Sequence, residues 1–212
     1  MNKIGVFGGT FNPVHKGHEI TAAGFYKKFK LNKLIIIPAN MPPHKWIGEK
    51  VSALQRFEMC GLCFEKYRRD YNYDIEVSDI EIKKDGVSYT YDTMKTLRKI
   101  YPGDAIYFLA GSDMFLYLEK WYKYKELLEM CVFTIAFRNR NDFEQAEILR
   151  MRENLISRGY KIEILNNHPF EISSTELREK IKNCGPDSPD LKNYISPEVI
   201  NYIKERKIYV LQ

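Results

Sequence analysis

Two histidines, His15 and His18, stand three positions apart behind the run Gly8-Gly9-Thr10-Phe11-Asn12-Pro13-Val14. Lys16-Gly17 separates them and a helical pattern begins there, so both imidazoles fall at or near a first helical turn. A helix start offers unpaired N–H groups and the positive end of a dipole, and the two glycines allow a ligand close to the backbone. That combination suits an anion, a phosphate above all, with imidazole N–H groups as further donors. A glycine-containing turn with incidental histidines and a metal pair are the competing readings. Zinc is disfavoured, because only His44 and His168 remain as further imidazoles and no cysteine is near. The spacing matches neither the Walker A pattern nor G-x-G-x-x-G.

A second cluster, Ile172-Ser173-Ser174-Thr175-Glu176-Leu177-Arg178, opens another helical pattern. Ser173-x-x-Glu176 fits a capping box, and Ser174 is an alternative cap. Arg178 lies one turn beyond Ser174, so its guanidinium can fold back toward an anion at that helix start. A plain cap and a phosphate contact both satisfy this segment.

The elements that must position these groups follow a strand, helix, strand rhythm. Apolar, β-branched runs occur at Lys3 to Phe7, Lys33 to Ile37, Asp74 to Val77, Ala105 to Ala110, Val132 to Phe137 and Lys161 to Leu165. Helical patterns lie between them at Gly17 to Phe29, Ser52 to Arg68, Tyr91 to Ile100, Asp113 to Met130 and Asp142 to Ser157. Continuous apolar strands such as Leu34-Ile35-Ile36-Ile37 demand a sheet covered on both faces. The expectation is an α/β fold with a Rossmann-like, doubly wound, mostly parallel sheet. Helices at Ser174 to Lys182 and Pro197 to Arg206, joined by a Gly185 to Pro189 loop, form a small helical C-terminal subdomain from about residue 172. All 212 residues are read as one domain. In such sheets ligands bind beyond the carboxyl ends of the strands, so chemistry is expected after Phe7, Ile37, Val77 and Ala110.

Composition narrows the field. With 44% hydrophobic and 14% aromatic residues the chain can bury a real core, which excludes a disordered scaffold. No apolar run approaches the roughly 18 residues that cross a bilayer. The N-terminus enters a core-like strand without a signal-peptide pattern, and the four cysteines are too scattered for a disulfide framework, so a cytoplasmic protein is expected. A net charge of +5 suits a phosphate ligand without requiring one. Basic stretches such as Lys27-Lys28 and Arg138-Asn139-Arg140 are too short and too interrupted by acids to indicate nucleic acid. Cys60-Gly61-Leu62-Cys63 sits inside a helical pattern with no second Cys pair, which favours buried, inert thiols over a redox or zinc site.

Taken as a pair, the first-strand H-x-G-H motif and the late I-S-S-T-x-x-R motif resemble the nucleotidylyltransferase superfamily, whose members join a phosphate-bearing substrate to a nucleotide and release pyrophosphate. Gly8 to His18, Pro38 with Pro42-Pro43-His44-Lys45, Ser88-Tyr89-Thr90-Tyr91-Asp92-Thr93, Gly111-Ser112-Asp113-Met114 with Trp121-Tyr122, and Ile172 to Arg178 together are similar to the bacterial nicotinate mononucleotide adenylyltransferases. The likeness runs from residue 3 to about 206. One departure is Asn12, where many members carry Asp; being a turn position, it bears on local hydrogen bonding.

The resemblance implies ATP and nicotinate mononucleotide as substrates, with Mg²⁺ carried mainly by the ATP phosphates and water. His18 would donate to the α-phosphate, with His15 beside it on the triphosphate. Arg178 and the backbone of Ser173, Ser174 and Thr175 would hold the β- and γ-phosphates, Gly8, Gly9, Thr10 and Phe11 would form the nucleotide loop, and Lys45 would meet phosphates from the other side. Gly111 and Asp113 would serve the ribose, although Ser112 or Asp113 as a helix N-cap explains the same residues. Trp121 and Tyr122 would stack on the pyridine ring, with backbone N–H groups near Thr90 and Tyr122 receiving the nicotinate carboxylate; core packing is the alternative for that aromatic pair. Rival functions are a sister transferase acting on nicotinamide mononucleotide, phosphopantetheine or glycerol phosphate, and a non-catalytic ATP sensor.

Overall fold

The computed structural model describes residues 1–41, 51–84, 86–137, 142–166 and 172–210. Six strands form one sheet: β1 (Lys3–Gly9), β2 (Lys33–Pro38), β3 (Ile75–Val77), β4 (Ala105–Gly111), β5 (Val132–Ala136) and β6 (Ile162–Leu165). Their order is β3-β2-β1-β4-β5-β6 and every neighbouring pair is parallel. Val6 is flanked by Ile35 on one side and Phe108 on the other. The chain winds outward in opposite directions from β1 and from β4, so the crevice between their carboxyl ends is the topological switch point.

Side chains alternate across the sheet, and each face is covered. Leu34 and Ile36 join a cluster with Phe25 of α1 (Lys16–Phe29), Met59 and Phe64 of α2 (Ala53–Tyr71), Leu177 of α7 (Ser174–Cys184) and Val199 of α8 (Pro197–Glu205). Ile35 and Ile37 point the other way, toward Met94 and Leu97 of α3 (Thr90–Ile100), Leu127 of α5 (Tyr124–Met130) and Ile148 of α6 (Asp142–Ser157). All four residues of the 34–37 run are therefore buried, as a doubly covered strand requires. Cys60 and Cys63 lie buried in the first cluster, where loss of hydration pushes both thiols well above the usual range and keeps them unreactive.

One helix expected from the sequence is broken. Asp113 to Met130 is not continuous: Ser112–Phe115 makes a single turn (α4), Leu118–Lys120 a 3-10 turn, and only Tyr124–Met130 is regular. Trp121 is extended (φ −74°, ψ 145°) and Lys123 takes the left-handed conformation (φ 52°). Phe115, Leu118, Leu127 and Leu128 are all buried and keep helical spacing across the breaks, which is why the pattern looks unbroken. The interruption lets Trp121 turn inward, edge-on to Phe108 and Phe133, while Tyr122 stays 48% exposed. Nor do Ser112 or Asp113 cap α4; Gly111 holds the cap position and makes no side-chain cap bond.

Candidate active site

Beyond the carboxyl end of β1 the two histidines form a reciprocal cap. His15 is the N-cap of α1 and its Nδ1 accepts from Gly17 N at 3.1 Å, while His15 N donates to His18 Nδ1 at 3.2 Å. This is a capping box built from imidazoles. Because each Nδ1 accepts a backbone proton, each neutral ring carries its own proton on Nε2. The rings lie 3.9 Å apart, and His18 also meets Phe11 edge-on at 5.0 Å. Two N–H donors are thus held side by side at a helix N-terminus, a geometry suited to phosphate oxygens.

The loop beneath them is constrained by its own residues. Gly8 and Gly9 close β1, and Phe11 holds a left-handed backbone (φ 49°) with its ring buried. A side chain at Gly9 would meet the Phe11 ring at 3.0–3.3 Å. At Gly8 the nearest atom to an added Cβ is a Phe108 ring carbon at 3.7 Å, ordinary contact. Protein packing alone does not require glycine at position 8, and its bare backbone would admit the close approach of a ligand.

The late motif closes on this loop. Ser173 caps α7: Ser173 Oγ accepts from Glu176 N at 3.2 Å and Ser173 N donates to Glu176 Oε2 at 2.7 Å, which lowers the Glu176 carboxyl below its usual range. Ser174 is free of capping duty and donates from Oγ to Pro13 O at 3.0 Å. Arg178 folds back one turn, donating from Nη2 to Thr175 Oγ1 at 3.1 Å and from Nη1 to Asn12 O at 2.8 Å. Two segments 166 residues apart in sequence thereby share one wall.

On the other side of the switch point β4 ends at Gly111, which puts Asp113 in the first turn after the strand. Trp121 approaches from the same side, half-buried, and its buried indole Nε1 has no hydrogen-bond partner among the described residues. Tyr122 meets Tyr89 at 4.9 Å and Tyr91 at 5.8 Å, and the Lys123 ammonium lies over the Tyr91 and Tyr122 rings. Thr90 opens α3, whose cap residue Tyr89 makes no side-chain cap bond. An aromatic wall beside a helix start can receive a flat ring bearing an anion. Lys45, with Pro42, Pro43 and His44, falls outside the described residues.

Comparison with known proteins agrees with this arrangement. The Cytidylyltransferase-like family model matches residues 6–180. A protein of Fusobacterium nucleatum named "Probable nicotinate-nucleotide adenylyltransferase" is 38% identical over 207 residues, covering 97% of this chain and 99% of that protein. One of Carboxydothermus hydrogenoformans with the same name is 37% identical over 209 residues, covering 98% of each. The chain belongs to the nicotinate-nucleotide adenylyltransferase family. Its fold is also similar to that of the Plasmodium falciparum nicotinic acid mononucleotide adenylyltransferase complexed with NaAD, at a TM-score of 0.80 and 22% identity, over 99% of this chain and 98% of that one. The same parasite enzyme complexed with APC superposes at 0.78.

Within this nicotinate-nucleotide adenylyltransferase fold, two residues that sequence reasoning passed over build the site's floor. Arg56, on the first turn of α2, is 1% exposed and donates to Thr10 O at 2.8 Å and Asn40 O at 3.1 Å. Burial depresses its pKa. Tyr209 donates from its phenol to Asn12 Oδ1, and burial raises that phenol far enough to keep it a donor at any working pH. An arginine on an amphipathic helix carries no mark of burial in sequence. Asn12, read as a turn residue of local importance, is the acceptor for both Tyr209 and Arg178.

Proposed function

We propose that the protein transfers the adenylyl group of ATP to nicotinate mononucleotide, giving nicotinate adenine dinucleotide and pyrophosphate, a step of NAD biosynthesis. What carries this reading is the convergence of the His15–His18 cap, Arg178 and the β1 loop at the switch point, facing the Thr90, Trp121 and Tyr122 wall. The 5′-phosphate oxygen of the acceptor attacks the α-phosphorus in line. A new P–O bond forms, the bond to the β-phosphate bridging oxygen breaks, and pyrophosphate departs with the electron pair. No protein nucleophile is needed, because a phosphate monoester with its second pKa near 6 is already anionic at neutral pH. Catalysis is then positioning plus stabilisation of charge on the transferring group.

In this scheme His18 donates from Nε2 to the α-phosphate and His15 to the neighbouring phosphates. Arg178 with the backbone of Ser173, Ser174 and Thr175 holds the β- and γ-phosphates, and Lys45 approaches them from the other side. Gly8 to Phe11 cradle the nucleotide, and Gly111 and Asp113 bind its ribose. Trp121 and Tyr122 stack on the pyridine ring, with the Thr90 and Tyr122 N–H groups on its carboxylate. His15, His18 and Arg178 present N–H donors, which match phosphate oxygens, and the site's carboxylate, Asp113, is assigned to the ribose. Mg²⁺ accordingly enters with ATP, coordinated by phosphate and water, where it neutralises charge on the phosphates. One domain spanning the 212 residues, working in the cytoplasm, completes the proposal.

The test is pyrophosphate release by purified protein with Mg-ATP and, separately, nicotinate mononucleotide, nicotinamide mononucleotide, phosphopantetheine and glycerol phosphate. Release with nicotinate mononucleotide at the highest kcat/KM is expected. Preference for phosphopantetheine or another acceptor would replace the substrate, and no release with any would favour an ATP sensor.

A further inference from the structure

Among the described residues Arg56 is the largest side chain buried to below 2% exposure, and it has no carboxylate within ion-pairing distance. A desolvated guanidinium is costly unless its donors are well used. Here they are spent on two main-chain carbonyls, Thr10 O and Asn40 O, while Nε has no partner among the described residues. Both carbonyls belong to loops past the carboxyl ends of strands: Thr10 follows β1 and Asn40 follows β2. Core packing of Phe11 and Val14 anchors the loop after β1, and Ala39 N donates to Gly9 O at 2.9 Å between the strand ends, but the side-chain link that ties Thr10 to Asn40 is the Arg56 fork.

The two ends of this fork lead to different halves of the proposed site. Thr10 lies in the loop before the His15–His18 cap, the adenylyl-donor side. Asn40 connects to the acceptor side: its N–H donates to Ser88 Oγ at 3.2 Å, its Nδ2 to Lys84 O at 3.0 Å, and Ser88 N donates to Met41 O at 2.9 Å. Ser88 stands two residues before Thr90, the start of α3 and of the aromatic wall. Buried Glu81, which accepts from Thr93 Oγ1 at 2.8 Å, completes this layer and contributes a negative potential at Arg56. A planar fork with fixed donor directions sets the separation of two loops in a way that a flexible ammonium cannot.

We propose that Arg56 is a positioning residue for adenylyl transfer: its guanidinium clamps the donor loop at Thr10 to the acceptor-side loop at Asn40 and so sets the line of attack between the two phosphates. This rests on the transferase reading above. In-line transfer is sensitive to placement, and a displacement near 1 Å can cost about a hundredfold in rate. The clamp touches neither substrate, so its loss falls on turnover more than on binding.

Arg56→Lys keeps the charge and loses the fork. Its kcat is expected to drop by about tenfold or more, with KM for each substrate within about threefold. Asn40→Ala keeps the carbonyl for Arg56 and removes the tether to Lys84, with an expected fall in kcat of about threefold at unchanged KM. A cooperative melt certifies each variant. Wild-type kcat in folded Arg56→Lys overturns the proposal, as does a loss carried entirely by KM. Should Arg56→Lys not fold, Arg56→Gln, which keeps one planar amide donor and loses the two-ended fork, decides in its place, and wild-type kcat there overturns the proposal. Unmodified protein assayed alongside separates the two claims. If it prefers another phosphate acceptor, only the substrate assignment fails and the clamp is measured with that acceptor. Absence of transfer to any acceptor overturns both.

Discussion

The Tyr209 phenol donates to the Asn12 side-chain oxygen at 2.5 Å, joining positions 197 residues apart in sequence. Asn12 also gives its backbone carbonyl to Arg178, so one turn residue receives a donor from the C-terminal segment and another from α7. Removing the phenol in Tyr209→Phe leaves Asn12 Oδ1 without that donor in a half-buried setting, a cost of about 1–1.5 kcal/mol. For a protein of this size the melting temperature should fall by roughly 2–6 °C. Thermal unfolding followed by circular dichroism checks it, and an unchanged midpoint means water or a rearranged side chain replaces the bond fully.

The capping by His18 and its proposed catalytic role are separable. A glutamine at the same position can accept from His15 N as the side chain of an ordinary capping box does. His18→Gln is therefore expected to melt within about 0.5 kcal/mol of the parent, whereas His18→Ala loses roughly 1 kcal/mol with the cap. Both should lose about a hundredfold in kcat. Affinity for a non-hydrolysable ATP analogue should stay within about tenfold. Calorimetric titration beside steady-state kinetics provides the comparison; full activity in His18→Gln would reduce the imidazole to a cap.

Gly8 and Gly9 should respond differently to alanine. Gly8 has room on the protein side and an ordinary backbone, so Gly8→Ala should melt at or slightly above the parent, by up to about 0.5 kcal/mol. Its affinity for ATP should nonetheless drop by about tenfold or more, because the methyl occupies the space that the backbone offers a ligand. Gly9→Ala pushes on the buried Phe11 ring and should lower stability directly. Melting curves with and without ATP distinguish the pair; equal ATP stabilisation of Gly8→Ala and parent would remove Gly8 from the site.

Glu81 supplies a pH signature. Burial raises its carboxyl above the usual range, against hydrogen bonds from Thr93 and Ser88 that pull it down. The folded state thus binds this proton more tightly than the unfolded chain. Its contribution to stability is complete below the unfolded value near 4.5 and is lost as pH rises through the raised folded value. Glu81→Gln keeps an oxygen for Thr93 without a charge, so parent and variant should melt alike in acid while the variant gains at neutral pH. Melts from pH 4 to 8 test this; a variant that is worse at neutral pH would mean the carboxylate is needed as a counter-charge, Lys84 and Arg56 being the cations that act on it.

Much of the architecture is legible from one sequence because period and composition are local. Leu34 to Ile37 announces a strand buried on both faces, and its neighbours do so too, which suffices for a parallel doubly wound sheet. Ser173-x-x-Glu176 announces its own cap, and His15 and His18 mark a helix start without revealing that each imidazole caps the other through Nδ1. The stretch from Asp113 to Met130 defeats the same reasoning: apolar residues retain helical spacing across the break at Trp121 and Lys123, where the indole packs edge-on to Phe108 and Phe133. By itself the sequence determined most of the elements, the sheet class and the two motifs proposed to bind phosphate, since each is written in residues within a few turns of one another. The tertiary structure alone decided that Arg56 is buried, that Asn12 is the meeting point of Arg178 and Tyr209, and that Tyr89 and Tyr91 join Tyr122 in one wall. Those facts depend on carbonyls, phenols and rings brought together from distant segments, and no local pattern records where a long side chain will find its partners.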